Sequence, residues 1–177
     1  MSYTSGGTGL AALRQSLPSS YFDFLERHGA SEWVCGDAFV FLWGGEDLEP
    51  FNNEYRVQTL VPGLILIGSD GAGEAYGFDL HLADMPVVRV PFVGMSRKYA
   101  IAVAKDFGEW QAMLRPWQAS RSHTRMQLAE LNPVLLGGDP VDSANKVWLT
   151  RDQHFEYVRF WNNVVAAANA NAKSTPQ

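Results

Sequence analysis

Leu64–Leu80 reads LILIGSDGAGEAYGFDL, an apolar run driven into a glycine cluster and out again as an alternating segment. No other stretch restricts the fold as strongly. A phosphate-binding loop would place a helix directly after its glycines, so that free amides and the positive end of the helix dipole face the anion. Here Gly71, Gly73 and Gly77 form G-x-G-x-x-x-G, a near miss. The continuation puts Tyr76, Phe78, Leu80 and Leu82 on one side and Gly77, Asp79 and His81 on the other. That is the period of a strand. Asp70 and Glu74 would repel a phosphate, and no Gly-Lys-Ser/Thr follows. Gly68-Ser69-Asp70-Gly71 is not the G-x-S-x-G of a nucleophile elbow. The segment predicts a β-hairpin turning through Ser69–Glu74, where Asp-Gly supplies positive φ without steric penalty. Leu64–Ile67 does not alternate, which predicts a strand covered on both faces and lying inside the sheet.

The rest of the chain supplies helices and strands in segregated order. Pro18 opens a helix with Leu17, Tyr21, Leu25 and His28 on one stripe, and Gly29 is placed as its left-handed cap. Phe39–Trp43 reads as a buried strand, and Gly44–Tyr55 as a loop or short helix gathering Glu46, Asp47 and Glu49 beside exposed Phe51 and Tyr55. In MPVVRVPFV, Val88, Val90 and Phe92 share a face, and Pro91 marks an edge or a bulge. Val103, Phe107, Trp110 and Leu114 are spaced as a helix. Asn132–Trp148 reads as a structured surface loop. Thr150 and Gln153 form a capping box for a last helix with Phe155, Val158, Trp161, Val165 and Ala168 on its apolar stripe. The order predicts α+β with a mainly antiparallel sheet. Residues 10–114 form the expected core domain and 115–170 an extension docked on it, with flexible tails at 1–9 and 171–177.

A chain of 177 residues buries about 70% of its unfolded surface in one domain and needs no disulfide or metal staple. Cys35 is the only cysteine. With Val34 and Gly36 as neighbours it is expected to be a small buried residue rather than a nucleophile. The apolar runs are too short to cross a bilayer, and MSYTSGGTG lacks the basic start and apolar core of a signal peptide. A cytoplasmic protein is expected. Up to Leu114 the chain carries 7 Lys/Arg against 14 Asp/Glu, leaving −7; from Arg115 it carries 7 against 5, leaving +2, for the net charge of −5. An acidic body is ill-suited to nucleic acid and suits a basic protein partner. Arg115, Arg121 and Arg125 sit among few acids, on a solvated helix or an extended arm.

His28, His81, His123 and His154 show no zinc-site spacing, so no metal is expected. Asp79 and His81 share a strand face and read as solvent-facing polar residues. Trp43, Trp110, Trp148 and Trp161 fall on predicted apolar faces, which favours core packing over sugar stacking.

LPSSYFDFLERHG, an apolar strand ending in LWG, YRV, PGLILIGSDGAGEAYGFDL, PVVRV and AKDFGEWQAML follow one another between about Leu17 and Leu114. This succession resembles the SUKH superfamily, which includes bacterial toxin-immunity proteins and fungal cell-wall synthesis regulators. The resemblance implies one α+β domain with a curved sheet bordered by helices, no catalytic residue and no cofactor. It also implies a protein partner, most often a polymorphic toxin and commonly a nuclease; the alternative is a scaffold or regulatory module without a toxin. Gly68, Gly71 and Gly73 carry over as structural turn-formers. A nuclease toxin is expected to be basic, and the candidate partner-binding residues are Glu46, Asp47, Glu49, Phe51 and Tyr55 on one loop with Asp70 and Glu74 at the hairpin tip. The segment after Leu114 has no counterpart in the family's short form.

Overall fold

A computed structural model describes residues 10–35, 38–114, 118–120 and 126–174. Arg115, Arg121, Arg125, His123 and residues 1–9 lie outside the described set, as does the side chain of Cys35. Two helices, α1 (Leu10–Ser16) and α2 (Ser19–His28), precede β1 (Ser31–Cys35) and β2 (Ala38–Leu42). Short helices α3 (Leu48–Glu54) and α4 (Val57–Leu60) lead into β3 (Leu64–Ser69), β4 (Glu74–Asp79), β5 (Val87–Pro91) and β6 (Ile101–Ala104). After α5 (Phe107–Leu114) come β7 (Gln118–Ser120), β8 (Met126–Glu130), β9 (Lys146–Thr150) and the long α6 (Arg151–Ser174). The architecture is α+β.

Seven strands form one antiparallel sheet in the order β6-β5-β4-β3-β2-β1-β7, and β8 pairs with β9 in a second, two-stranded sheet. β3 is the central strand and all six of its residues are buried, as a non-alternating apolar run requires. Register separates the faces. Phe78 lies opposite Val87, and Tyr21 of α2 and Phe107 of α5 pack edge-on or tilted against Phe78 at 5.3 and 5.9 Å between ring centroids. On the other face Phe92, in phase with Val88 and Val90, packs on Tyr55 at 4.5 Å. Tyr55 in turn meets Phe155 of α6 at 4.7 Å. Phe155 and Val158 therefore join the same buried cluster as Leu42, Leu66 and Val90, and β7 extends the main sheet beside β1.

Several elements differ from expectation. The stretch around Val103 is strand β6, and the helix starts only at Phe107, because Asp106 accepts the Glu109 N–H at 2.8 Å and opens a new first turn. Asn132–Trp148 is less irregular than expected, since its end is β9, with Val134–Leu136 and Ser143–Asn145 in 3-10 turns. β5 is not an edge strand; its pairing with β6 stops at Arg89, so the donor that Pro91 lacks is not needed, and the irregularity falls at Val87/Val88. Gly29 has φ +65° with ψ −158°, a positive φ outside the left-handed helical region, and its N–H still closes on the Leu25 carbonyl at 2.7 Å. Residues 171–174 continue α6 rather than fraying, in keeping with the high helix propensity of the preceding alanines. Of the tryptophans, Trp43 and Trp110 are buried, but Trp148 is 61% exposed and Trp161 half-buried; alternation along β9 turns Trp148 away from α6.

The glycines near the hairpin have distinct roles. Gly71 and Gly73 have φ of +72° and +115° and make the turn. Gly68 sits inside β3 at the register shift, and a Cβ there would overlap the Phe41 carbonyl oxygen of β2. It serves close strand approach, not the turn. Gly71→Ala should cost about 1 kcal/mol for the left-handed backbone, and Gly68→Ala about 2 kcal/mol for overpacking. Urea titrations check the ranking; a Gly68→Ala protein as stable as the parent would show that β2 and β3 separate freely.

Candidate protein-binding surface

The hairpin tip uses up the groups a ligand would need. Asp70 Oδ1 accepts the N–H groups of Ala72 and Glu74 at 2.8 and 2.9 Å, and the Asp70 N–H donates to the Glu74 carbonyl at 3.0 Å. This Asx-type turn spends on its own aspartate the amides that a phosphate would require. The turn's carbonyls are engaged as well: Gly71 accepts from Leu128 at 2.9 Å and Gly73 from Phe92 at 3.0 Å. Ser69 Oγ donates to Gln127 Oε1 at 3.0 Å. The glycine cluster is thus a turn onto which β8 of the extension is bonded. Asp70 is largely an internal brace, whereas Glu74 stays partly exposed, 3.5 Å from Arg89 Nε. Burial raises the pKa of both carboxyls, and Arg89 pulls each back.

Glu46, Asp47 and Glu49 lie on the approach to α3 and in its first turn. Glu46 is exposed, and Asp47 and Glu49 are partly so. The aromatics expected beside them point inward. Tyr55 is fully buried and its hydroxyl meets His154 Nδ1 at 2.8 Å. Phe51 is half-buried against Trp43 and Phe155, under the guanidinium of Arg151 at 4.9 Å from its ring. Leu48, Phe51, Asn52 and Tyr55 follow helical spacing, and that stripe predicts an inward face. Tyr55 is therefore no contact residue. Asn52, unnoticed in the sequence, holds α3 on the central strand: its amide donates to the carbonyls of Leu48 and Leu66, and its Oδ1 accepts the Leu66 N–H, all at 2.7–2.8 Å.

Asp79 and His81 do not form an acid-base pair. Asp79 is buried, accepts the backbone N–H of His81 at 3.0 Å and is bonded to Arg97; His81 lies beyond β4 and is exposed. Among the described residues no group of three or more His, Cys, Asp or Glu is arranged to hold a metal, and no helix is long and apolar enough to cross a membrane.

A family model described as SMI1 / KNR4 family (SUKH-1) matches residues 11–113. No curated protein matches the chain. The match ends where α5 ends, so β7, β8, β9 and α6 lie beyond it.

Proposed function

This chain belongs to the SMI1 / KNR4 family (SUKH-1), and from that premise we propose that it is a non-enzymatic, cytoplasmic immunity protein that neutralises a basic polymorphic toxin by binding it. The observation that carries the reading is the family match across strands β1 to β6 and the helices that accompany them. The acidic balance of that part, 7 Lys/Arg against 14 Asp/Glu up to Leu114, supports a basic partner. Glu46, Asp47 and Glu49 offer the acidic contact: α3 turns its apolar stripe inward and leaves these carboxylates at the surface. Phe51 contributes at most its exposed edge.

The test is co-expression with the toxin encoded by the neighbouring gene. Protection is expected from the parent, and it should be lost when Glu46, Asp47 and Glu49 are all changed to Lys while circular dichroism stays native. Rim charges act mainly on association rate, so the gap in association rate between parent and triple variant should be widest at low salt and narrow as salt rises. Full protection by the triple variant would remove the acidic surface of α3 from the reading. Failure of the parent to protect would leave a scaffold or regulatory module.

A further inference from the structure

The first residue of α6 brings a positive charge to the family domain. The Arg151 guanidinium lies 4.9 Å from the Phe51 ring, 5.3 Å from Phe41 and 5.8 Å from Trp43, so rings from β2, its C-terminal neighbour and α3 surround it. Aromatic faces attract a cation, but they offer it no oxygen. Its Nη1 is buried without an acceptor, and so is the indole N–H of Trp43, a residue with 0% exposure. Buried donors of this kind are rare in folded proteins and single out a place able to take an acceptor.

Charge separates this arginine from the others. Among the described residues, Arg14, Arg89, Arg97, Lys146 and Arg159 each reach a carboxylate at 3.5 Å or less, whereas Arg151 reaches none. Arg56 and Lys105 reach none either, but both are exposed and water serves them. Arg151 is only partly exposed. Its field is felt nearby: burial pushes the Tyr55 hydroxyl up to about 12 while Arg151 pulls it back, and burial pushes His154 down to about 3 with Arg151 adding to the push. No ion pair has to break for the guanidinium to turn toward a new acceptor.

We propose that Arg151, between Phe41 and Phe51, receives one carboxylate from an aspartate or glutamate of the protein partner, while an apolar neighbour of that acid packs on the two half-buried rings. A planar guanidinium binds a carboxylate through two parallel hydrogen bonds, and arginine and aromatic side chains are enriched at the energetic centres of protein interfaces. Phe41, Trp43 and Phe51 lie within the stretch that the family model matches, whereas Arg151 lies beyond it. The inference rests on the protein-binding reading above. It adds to the carboxylates of α3 a contact of opposite sign, and mixed signs fix the register of a partner.

The probe is sodium benzoate, a carboxylate on an apolar ring, with neutral benzamide as its counterpart. Each is titrated into the full chain at constant ionic strength and followed by NMR at the Trp43 indole N–H and the backbone amides of Phe41, Phe51 and Arg151. Benzoate should give saturable shifts there, in the millimolar range expected of so small a ligand, and benzamide none. Arg151→Gln should weaken binding about tenfold, the scale of one charge-assisted pair. Arg151→Lys, which keeps the charge and loses the planar fork, should recover only part of it. Equal shifts from benzamide, undiminished binding in Arg151→Gln, or no saturable shift in the parent would overturn the site. In the co-expression assay, Arg151→Gln with native circular dichroism should protect less than the parent; full protection by it would overturn the partner as the source of the carboxylate. A parent that binds benzoate at Arg151 yet protects against no toxin would support the site and remove the immunity assignment.

Discussion

A chain ending at Leu149 should fail to fold cooperatively. The truncation strips α6 from the face of the sheet where Phe155 and Val158 are 6% and 0% exposed. Burying each of these side chains is worth roughly 1.5–3 kcal/mol. The groups they cover would meet water: Tyr55 and Phe92 lose Phe155 and His154 as ring neighbours, and Phe41, Trp43 and Phe51 lose the Arg151 guanidinium at 4.9–5.8 Å. Two hydrogen bonds close the same seam, from Asn162 Nδ2 to the Phe92 carbonyl at 2.9 Å and from the Gly94 N–H to Asn162 Oδ1 at 2.6 Å. Their loss costs about 0.5–1.5 kcal/mol each, because the freed backbone groups turn to water. Together these reach the whole stability of an ordinary domain, about 5–15 kcal/mol. Binding of an apolar dye and a broad, non-cooperative melt are the expected results. A soluble truncation that melts sharply would show that the chain up to Leu149 stands alone and that α6 only rests against it.

What sequence alone could disclose depended on whether the signal was local. The hairpin was legible because turn chemistry is local: Asp70 and Gly71 specify their own backbone and hydrogen bonds. The capping box was legible for the same reason, with Thr150 N–H donating to Gln153 Oε1 at 2.9 Å. β6 was misread because four apolar and small residues before a helix can continue its spacing, and only Asp106 marks the break. β1 gave no alternating pattern, and its pairing with β2 and β7 is a tertiary event.

The candidate surface was legible in charge and not in shape. Glu46, Asp47 and Glu49 are where an acidic loop should put them, yet Tyr55 was assigned to the surface although its spacing from Leu48 and Asn52 placed it inside. Asp70 looked like a free acid at a tip, and the structure spends it on two amides. The site at Arg151 could not have been found at all. It joins Phe41 and Phe51 to Arg151, residues far apart in the chain, and nothing in the sequence announces that the start of α6 will lie over those rings.

Acidification should destabilise the fold through one imidazole. His154 is 1% exposed, bonded through Nδ1 to the Tyr55 hydroxyl at 2.8 Å and packed among the rings of Tyr55, Phe92 and Tyr157. Burial, and secondarily the Arg151 charge, push its pKa down from 6.5 to about 3. The folded chain therefore keeps it neutral while the unfolded chain protonates it below 6.5, so the unfolded state binds more protons and stability falls as pH drops from 6.5 toward 3. At 1.36 kcal/mol per pH unit, that is about 2 kcal/mol lost by pH 5 and about 3 kcal/mol by pH 4. Asp70 and Glu74 act in the opposite sense: their raised pKa lets the folded chain take up protons first, which favours the fold as pH falls through the carboxylate range. Comparing pH 7 with pH 5 keeps most of that opposing effect out of the window. Urea titrations at the two values should show the loss in the parent and little of it in His154→Gln, which can still hydrogen-bond Tyr55 but cannot gain a proton. An equal loss in both proteins would mean that His154 takes up its proton without leaving the fold.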